Sequence, residues 1–124
     1  MTKEEKRLLL QDLSARLPYG VIVRLDYRDG TIVTREMGIG SFHDMLFGNT
    51  KGKPYLRPMS SMTEEERKEY NEYLFHGASI GLMSNTETAY ELIDWLNAHH
   101  FDYRGLIEKG LALEASEGMY NIAN

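Results

Sequence analysis

The stretch SNTETAYELIDWLNAHHFDYRGLIEKGLALE, Ser84–Glu114, organises the rest of the chain, because it holds the only tryptophan and the clearest helical pattern. Apolar residues recur at helical spacing at Ala89, Leu92, Ile93 and Leu96. Acidic and amide side chains take the opposite side at Glu87, Glu91, Asp94 and Asn97. The pattern predicts an amphipathic helix over residues 86–99 with one buried face, and Ser84 and Thr86 are its start signals.

Trp95 lies one position from this apolar stripe. A tryptophan beside a regular apolar stripe is usually a core residue. We therefore expect Trp95 to be mostly buried, at the place where helix 86–99 meets either the sheet or a preceding helix.

The end of the same stretch predicts a second, shorter helix over residues 103–109. Asp102 is a capping residue type, and Gly110 is a common residue just after a helix. Leu111–Glu114 is apolar enough for a short strand or an extended tail. A helix, a tight turn, a short helix and an apolar edge also occur in this order in winged-helix DNA-binding domains.

Upstream, the pattern predicts one helix followed by a β-hairpin. Thr2 and Glu5 form a capping box for a helix over residues 3–16, and Pro18 ends it. Residues 21–27 alternate apolar and polar side chains as a half-buried strand does. Asp29–Gly30 is a strong hairpin turn, so residues 31–37 are expected to return as a second strand.

The middle of the chain is the least regular part. Residues 38–53 combine four glycines with an apolar cluster, and they fit either two short strands or one helical turn. Residues 54–59 are expected to be extended, because prolines restrict their neighbours. Thr63 and Glu66 form a second capping box, which predicts a helix over residues 64–75 that Gly77 ends. Residues 78–83 are expected to form a connector.

Together these patterns predict one α+β domain over residues 1–124. It has an N-terminal helix, a small antiparallel sheet of three to five strands within residues 21–59, and a helical C-terminal half. The length of 124 residues suits one domain, and 42% apolar with 27% charged residues is typical of globular proteins.

Composition excludes several kinds of function. The chain has no cysteine, which excludes disulfides, thiolate metal sites and cysteine nucleophiles. A formal charge of −5 argues against broad binding to a phosphate backbone, although a local basic patch stays open. The sequence contains neither a signal-peptide pattern nor an apolar run long enough for a membrane span, so we expect a cytoplasmic protein without a membrane partner.

Clusters of reactive residue types are better explained by structure than by catalysis. His99, His100 and Asp102 are the most compact group of metal-ligand types, but adjacent histidines on a helix point about 100° apart. A third ligand would require His43 or His76. Ser60 and Ser61 lie in no nucleophile motif and precede a helix as capping residues do. The sequence therefore predicts no enzyme, no metal site and no cofactor.

Three blocks of the chain resemble a group of small uncharacterised proteins encoded by phages and prophages of Bacteroides-type gut bacteria. The blocks are LLLQDLSARLPYGV at Leu8–Val21, KPYLRPMSSMTEEE at Lys53–Glu66, and DWLNAHHFDYRGLIEKGLALEA at Asp94–Ala115 with EGMYN at Glu117–Asn121. The resemblance implies a mobile-element origin and a small SH3-like sheet, and it carries no catalytic residues. Residues 32–52 depart from the longer hairpin of that group, so we expect the sheet to be partly open.

Two functions remain in view. The first is a non-enzymatic protein-interaction or regulatory module, with a protein partner or a second copy of the chain as its ligand. Tyrosine and arginine are favoured at such surfaces, which makes Tyr55, Arg57, Tyr103 and Arg104 the candidate binding residues. The alternative is a nucleic-acid-binding regulator that uses the helix-turn-helix-like stretch 87–109, with Arg104 and Lys109 facing phosphates.

Overall fold

The computed structural model describes residues 1–48, 50–79 and 86–120. In this part of the chain four strands form one sheet in the order β2-β1-β3-β4. The strands are β1 Ile22–Tyr27, β2 Ile32–Glu36, β3 Thr50–Leu56 and β4 Leu113–Glu114. β1 pairs antiparallel with both β2 and β3, whereas β4 pairs parallel with the end of β3. The expected α+β fold with an N-terminal helix is confirmed, but the sheet is mixed rather than purely antiparallel.

Four α-helices accompany the sheet. They are α1 Lys3–Arg16, α2 Ile39–Leu46, α3 Glu64–Ser79 and α4 Thr86–Ala98. The capping box of α1 forms as predicted, since Thr2 and Glu5 each bond the backbone of the other. Of the two alternatives for residues 38–53, the helical one is observed as α2, and β3 begins within the same range at Thr50. No helix in the described ranges is long and apolar enough to cross a membrane.

The core lies between the inner face of the sheet and helices α1 and α2. Val23 and Leu25 of β1 are fully buried, as the alternation of that strand predicts. They join the apolar residues of α1, α2, β3 and the C-terminal segment, namely Leu9, Leu13, Met45, Leu56, Leu106 and Leu111. The two helices and the C-terminal segment cover apolar surface that the sheet alone would leave in water.

Helices α3 and α4 pack against each other through Trp95. Its ring lies 6.2 Å from each of the rings of Tyr70 and Tyr73, and its Nε1 donates to Glu69 at 2.8 Å. Trp95 is half-buried, so the predicted contact with the preceding helix is present but the expected burial is only partial. Helix α3 also runs past the predicted stop at Gly77. The predicted cap at Ser84 lies outside the described residues, as does most of the connector.

The predicted helix 103–109 is wrong, because this segment forms consecutive turns. Asp102 accepts hydrogen bonds from the amides of Leu106 and Ile107, as a capping residue would. Gly105, however, has φ of 72°, in the left-handed region. A right-handed helix cannot continue through that conformation. Asp102 therefore caps the segment as predicted, but Gly105 turns the chain back toward the core at Leu106 and Leu111.

Candidate functional site

Arg57, the residue just after β3, is buried with 7% of its surface exposed. Its two terminal nitrogens donate to the two oxygens of Glu66, at 2.8 and 2.7 Å. The guanidinium also lies over the Phe101 ring, 4.2 Å from its centroid. A bidentate arginine–carboxylate pair in a buried place is strongly directional. The side chain of this predicted binding residue is thus held inside the fold.

Glu66 is the centre of the first of two ion clusters, which consists of Arg57, Glu66 and His99. It caps α3, because its carboxylate accepts from the Thr63 amide and its amide donates to the Thr63 hydroxyl. It also contacts Nδ1 of His99 at 3.0 Å. Burial would raise the pKa of Glu66, but the hydrogen bonds from Arg57, Thr63 and His99 outweigh it and lower the pKa to about 2. Glu66 is therefore an anion at any ordinary pH.

A second ion cluster surrounds Asp12, a fully buried residue of α1. Asp12 accepts from Nε of Arg16 at 2.8 Å and from Nη1 of Arg104 at 2.6 Å. The Tyr103 ring contacts both guanidiniums, with centroid distances of 5.1 Å to Arg16 and 4.8 Å to Arg104. The Tyr103 hydroxyl donates to Asn97, which is buried although its spacing predicts the polar face of α4.

Phe101 lies between the two clusters. Its ring lies under Arg57, and its carbonyl accepts from Arg16 at 2.7 Å. Sequence patterns did not predict Glu66 as an ion-pair partner or Asp12 with Arg16 as a buried pair. The opposite charges of Asp12 and Arg16, four residues apart on the side of the leucine stripe, were the available signal.

A tyrosine hydroxyl joins two diverging strands beyond the last β1–β3 pair. The Ile22 amide donates to the Tyr120 hydroxyl at 2.9 Å, and this hydroxyl donates to the Tyr55 carbonyl at 2.6 Å. The Tyr120 ring stacks on His100, with centroids 3.7 Å apart. Burial raises the pKa of Tyr120 to about 12. Burial, together with the nearby Arg16 and Arg57, lowers the pKa of His100 to about 4.

The four predicted binding residues thus fall into separate surroundings. Tyr103 and Arg104 lie together at the Asp12 cluster, Arg57 lies at the Glu66 cluster, and Tyr55 is half-buried on β3. Their proposed role in binding stays a prediction, and three of the four make contacts that stabilise the fold. The structure does not bring them together as one surface patch.

The residues of metal-ligand and nucleophile type also have separate partners. His99 contacts Glu66, His100 stacks on Tyr120, and Asp102 accepts from the turn amides. Within the described ranges no group of three or more histidine and carboxylate residues could hold a metal ion. Ser61 donates to the Pro58 carbonyl at 2.6 Å. Ser60 and Ser61 line a cavity of roughly 690 Å³ with Thr63, Glu117 and Tyr120.

A groove of roughly 660 Å³ is the part of the surface that sequence reasoning missed. It lies between α1, the end of α2, the first half of β3 and the turn at residues 109–111. Its floor is apolar, and four lysines surround it, namely Lys6, Lys51, Lys53 and Lys109. They are four of the six lysines in the chain. The alternate positions of Lys51 and Lys53 on a strand were the only local signal.

Large apolar side chains are exposed on three of the helical elements. On α2 and just after it they are Ile39, Leu46 and Phe47, and on α3 and α4 they are Leu74, Phe75, Tyr90 and Ile93. Phe75 and Ile39 are 75% and 76% exposed. Side chains of this size usually leave solvent when a domain folds alone.

Comparison of the chain with protein-family models, with curated proteins and with solved structures finds no match in any of the three.

Proposed function

We propose that this chain is a non-enzymatic protein-interaction module, of mobile-element origin, that acts in the cytoplasm. The observation that carries the proposal is the exposure of large apolar and aromatic residues on the helices. Aromatic anchors such as Phe75 and Tyr90 are typical of the few side chains that dominate binding energy at protein interfaces. Groups of exposed apolar residues mark interaction surfaces more often than isolated ones do.

The polar side chains also support a binding role, because their contacts are structural rather than catalytic. The residues with the most reactive character, Glu66, His99 and Asp102, make hydrogen bonds that hold α3, α4 and the C-terminal turns in place. A catalytic group needs access to a substrate and a suitable pKa. A carboxylate with a pKa of about 2, held by a buried arginine, is suited to structure rather than to proton transfer.

Nucleic-acid binding is the weaker alternative. It relied on a helix over residues 103–109 that would enter a groove, and this segment forms turns instead. Arg104, the expected phosphate contact, pairs with the buried Asp12. Lys109, the other expected phosphate contact, lines the groove together with three further lysines. A mobility-shift assay at low salt tests this alternative.

The proposal is tested by capturing partners from host lysate with the wild-type chain and with paired serine variants. One pair is Phe75→Ser with Tyr90→Ser, and the other is Ile39→Ser with Phe47→Ser. Ile32→Ser, on the exposed edge strand β2, is the matched control, since Ile32 is 55% exposed. We expect one pair to abolish capture of a stoichiometric partner while the control retains it.

Thermal melts must first show that each variant is folded, because loss of capture is meaningful only for a folded chain. Size-exclusion chromatography with light scattering then separates a second copy of the chain from a different partner. A monomer that captures no stoichiometric partner would remove the proposal.

A further inference from the structure

We infer that the groove beside β3 binds an extended acidic peptide segment, which adds to the free edge of the sheet as a fifth strand. The inference deepens the proposed function and rests on it, because it names the chemistry of one partner segment. Strand addition is a common mode of peptide recognition, in which backbone hydrogen bonds provide affinity and alternate side chains provide specificity.

The first half of β3 has one free edge. Along Thr50–Pro54 the strand pairs with β1. On its other edge β4 pairs only with Tyr55 and Leu56. Among the described strands, none pairs with residues 50–53 on that side, and these four residues line the groove. As far as the described residues show, the groove therefore runs along an unpaired sheet edge.

The Tyr120 bridge shows which backbone groups point into the groove. Because its hydroxyl joins the Ile22 amide to the Tyr55 carbonyl, these two backbone groups face each other. Backbone groups alternate in direction along a strand, so Lys51 and Lys53 also face β1. Gly52 therefore directs its N–H and C=O away from β1, toward the groove. Pro54 faces the same side and has no N–H, which is the position where a strand tolerates proline.

The inner side of the groove suits apolar side chains. Its floor includes Leu9, Leu10, Met45 and Leu111. Met45 packs so closely over Gly52 that a Cβ there would overlap its Sδ. The glycine thus lets the α2 side chain close the bottom of the groove. Every second side chain of an added strand would face this floor.

The outer side of the groove selects acidic side chains. Lys51 and Lys53 are exposed and lie two residues apart, the spacing of side chains on one face of a strand. Lys6 and Lys109 approach from two other elements, and Glu5 is the one acidic residue among those lining the groove. The chain as a whole carries a formal charge of −5, so this concentration of positive charge is local. An occupant with carboxylates at alternate positions complements it.

A buried hydroxyl supports a ligand rather than a simply protected edge. Lysines on an edge strand often serve only to prevent aggregation, which would account for Lys51 and Lys53. It would not account for Lys6 and Lys109. Nor would it account for Thr50, which is 6% exposed and whose hydroxyl finds no hydrogen-bond partner among the described residues. Buried polar groups are normally satisfied, and a peptide backbone in the groove would offer a partner.

The test is a selection of peptides of about six residues from a random library, displayed against the full chain. We expect the recovered peptides to alternate acidic and apolar residues. In amide NMR spectra their binding should shift Thr50–Lys53 and Lys109–Leu111, and hydrogen exchange at the Gly52 amide should slow. Lys51→Glu with Lys53→Glu should weaken binding about tenfold, and added salt should weaken it further.

Lys68→Glu is the matched control, because Lys68 is exposed on α3 and does not line the groove. Recovery of no binder, of binders without acidic alternation, or of binders that leave Gly52 exchange unchanged would overturn the inference. The inference would also be overturned if decanoate or a short DNA strand shifts the groove amides and the peptides do not. A partner whose capture requires Phe75 and Tyr90 but not the lysines would leave the proposed function intact and remove only this site.

Discussion

Single residues in this protein have roles that their neighbours in sequence do not reveal. Glu66 looks like one of three glutamates in the first turn of a helix, yet it alone is buried and pairs with Arg57. His100 looks like a helix-end histidine, yet it adopts φ of 64° and stacks on Tyr120. The pKa of each residue is shifted far from its usual range: hydrogen bonds from Arg57, Thr63 and His99 lower that of Glu66, and burial lowers that of His100.

Glu66→Gln is expected to destabilise the protein by about 3 kcal/mol, because it leaves the buried Arg57 without a charged partner. Since the pKa of Glu66 is lowered from 4.5 to about 2, its contribution is fully present above pH 4.5 and is lost as the pH falls through about 2. Denaturant unfolding at several pH values measures this. The variant should lose part of the acid dependence, whereas Glu65→Gln, on an exposed residue, should change neither quantity.

His100 is expected to stay neutral until the pH falls to about 4. An unfolded chain takes up this proton near the ordinary value of 6.5. The stability that the neutral imidazole contributes is therefore present above pH 6.5 and is lost as the pH falls through about 4. NMR titration of the imidazole carbons gives the midpoint directly. A midpoint near 6.5 would show that the stacked, buried environment of His100 is absent in solution.

At the scale of elements, local signals were reliable where an element needs no distant partner. The capping boxes of α1 and α3 and the Asp29–Gly30 turn all act within a few residues, and each is present as predicted. The helix predicted over residues 103–109 does not form, because Gly105 adopts a left-handed conformation that turns the chain toward the core despite the capping signal of Asp102. Contact between α3 and α4 involves Trp95, whose ring lies near Tyr70 and Tyr73 of α3.

Trp95→Ala is expected to lower the free energy of unfolding by about 3 kcal/mol, at the lower end of the range for a deleted core tryptophan. The ring is half-buried but contacts Tyr70, Tyr73, His99 and Phe101. Thermal and denaturant melts measure the change. Tyr90→Ala, on the same helix but 67% exposed, is the control and should have little effect. An unchanged midpoint for Trp95→Ala would mean that its face is a binding surface rather than a packing contact.

At the scale of the whole molecule, the C-terminal segment completes the sheet and the core. It contributes β4, the buried Leu106 and Leu111, and the Tyr120 hydroxyl that bridges β1 and β3. The Asp12 cluster joins α1 to Arg104 across 92 residues. We therefore expect α1 and the segment from Arg104 to Tyr120 to unfold together rather than as separate units.

Tyr120→Phe tests whether the Tyr120 hydroxyl holds β1 and β3 together. The variant keeps the ring on His100 but removes the hydroxyl, so the Ile22 amide and the Tyr55 carbonyl lose their shared partner. Leaving such groups unsatisfied costs about 1 to 3 kcal/mol. We expect a single cooperative transition at lower denaturant, with faster amide exchange at Ile22. Tyr90→Phe should match the wild type. An unaltered Ile22 amide in Tyr120→Phe would mean that the bridge does not close the sheet.

Much of this fold follows from the sequence because it depends on short-range rules. Alternation in β1, two capping boxes and the apolar stripe of α1 each specify an element within a window of a few residues. The α+β class and the bounds of α1 and β1 were predictable for that reason. Tertiary structure alone decided the parallel pairing of β4, the two ion clusters around Phe101 and the lysine-lined groove. Each of these features depends on contacts between residues tens of positions apart, such as Asp12 with Arg104 and Arg57 with Phe101. Such contacts impose no periodicity that a single sequence could display.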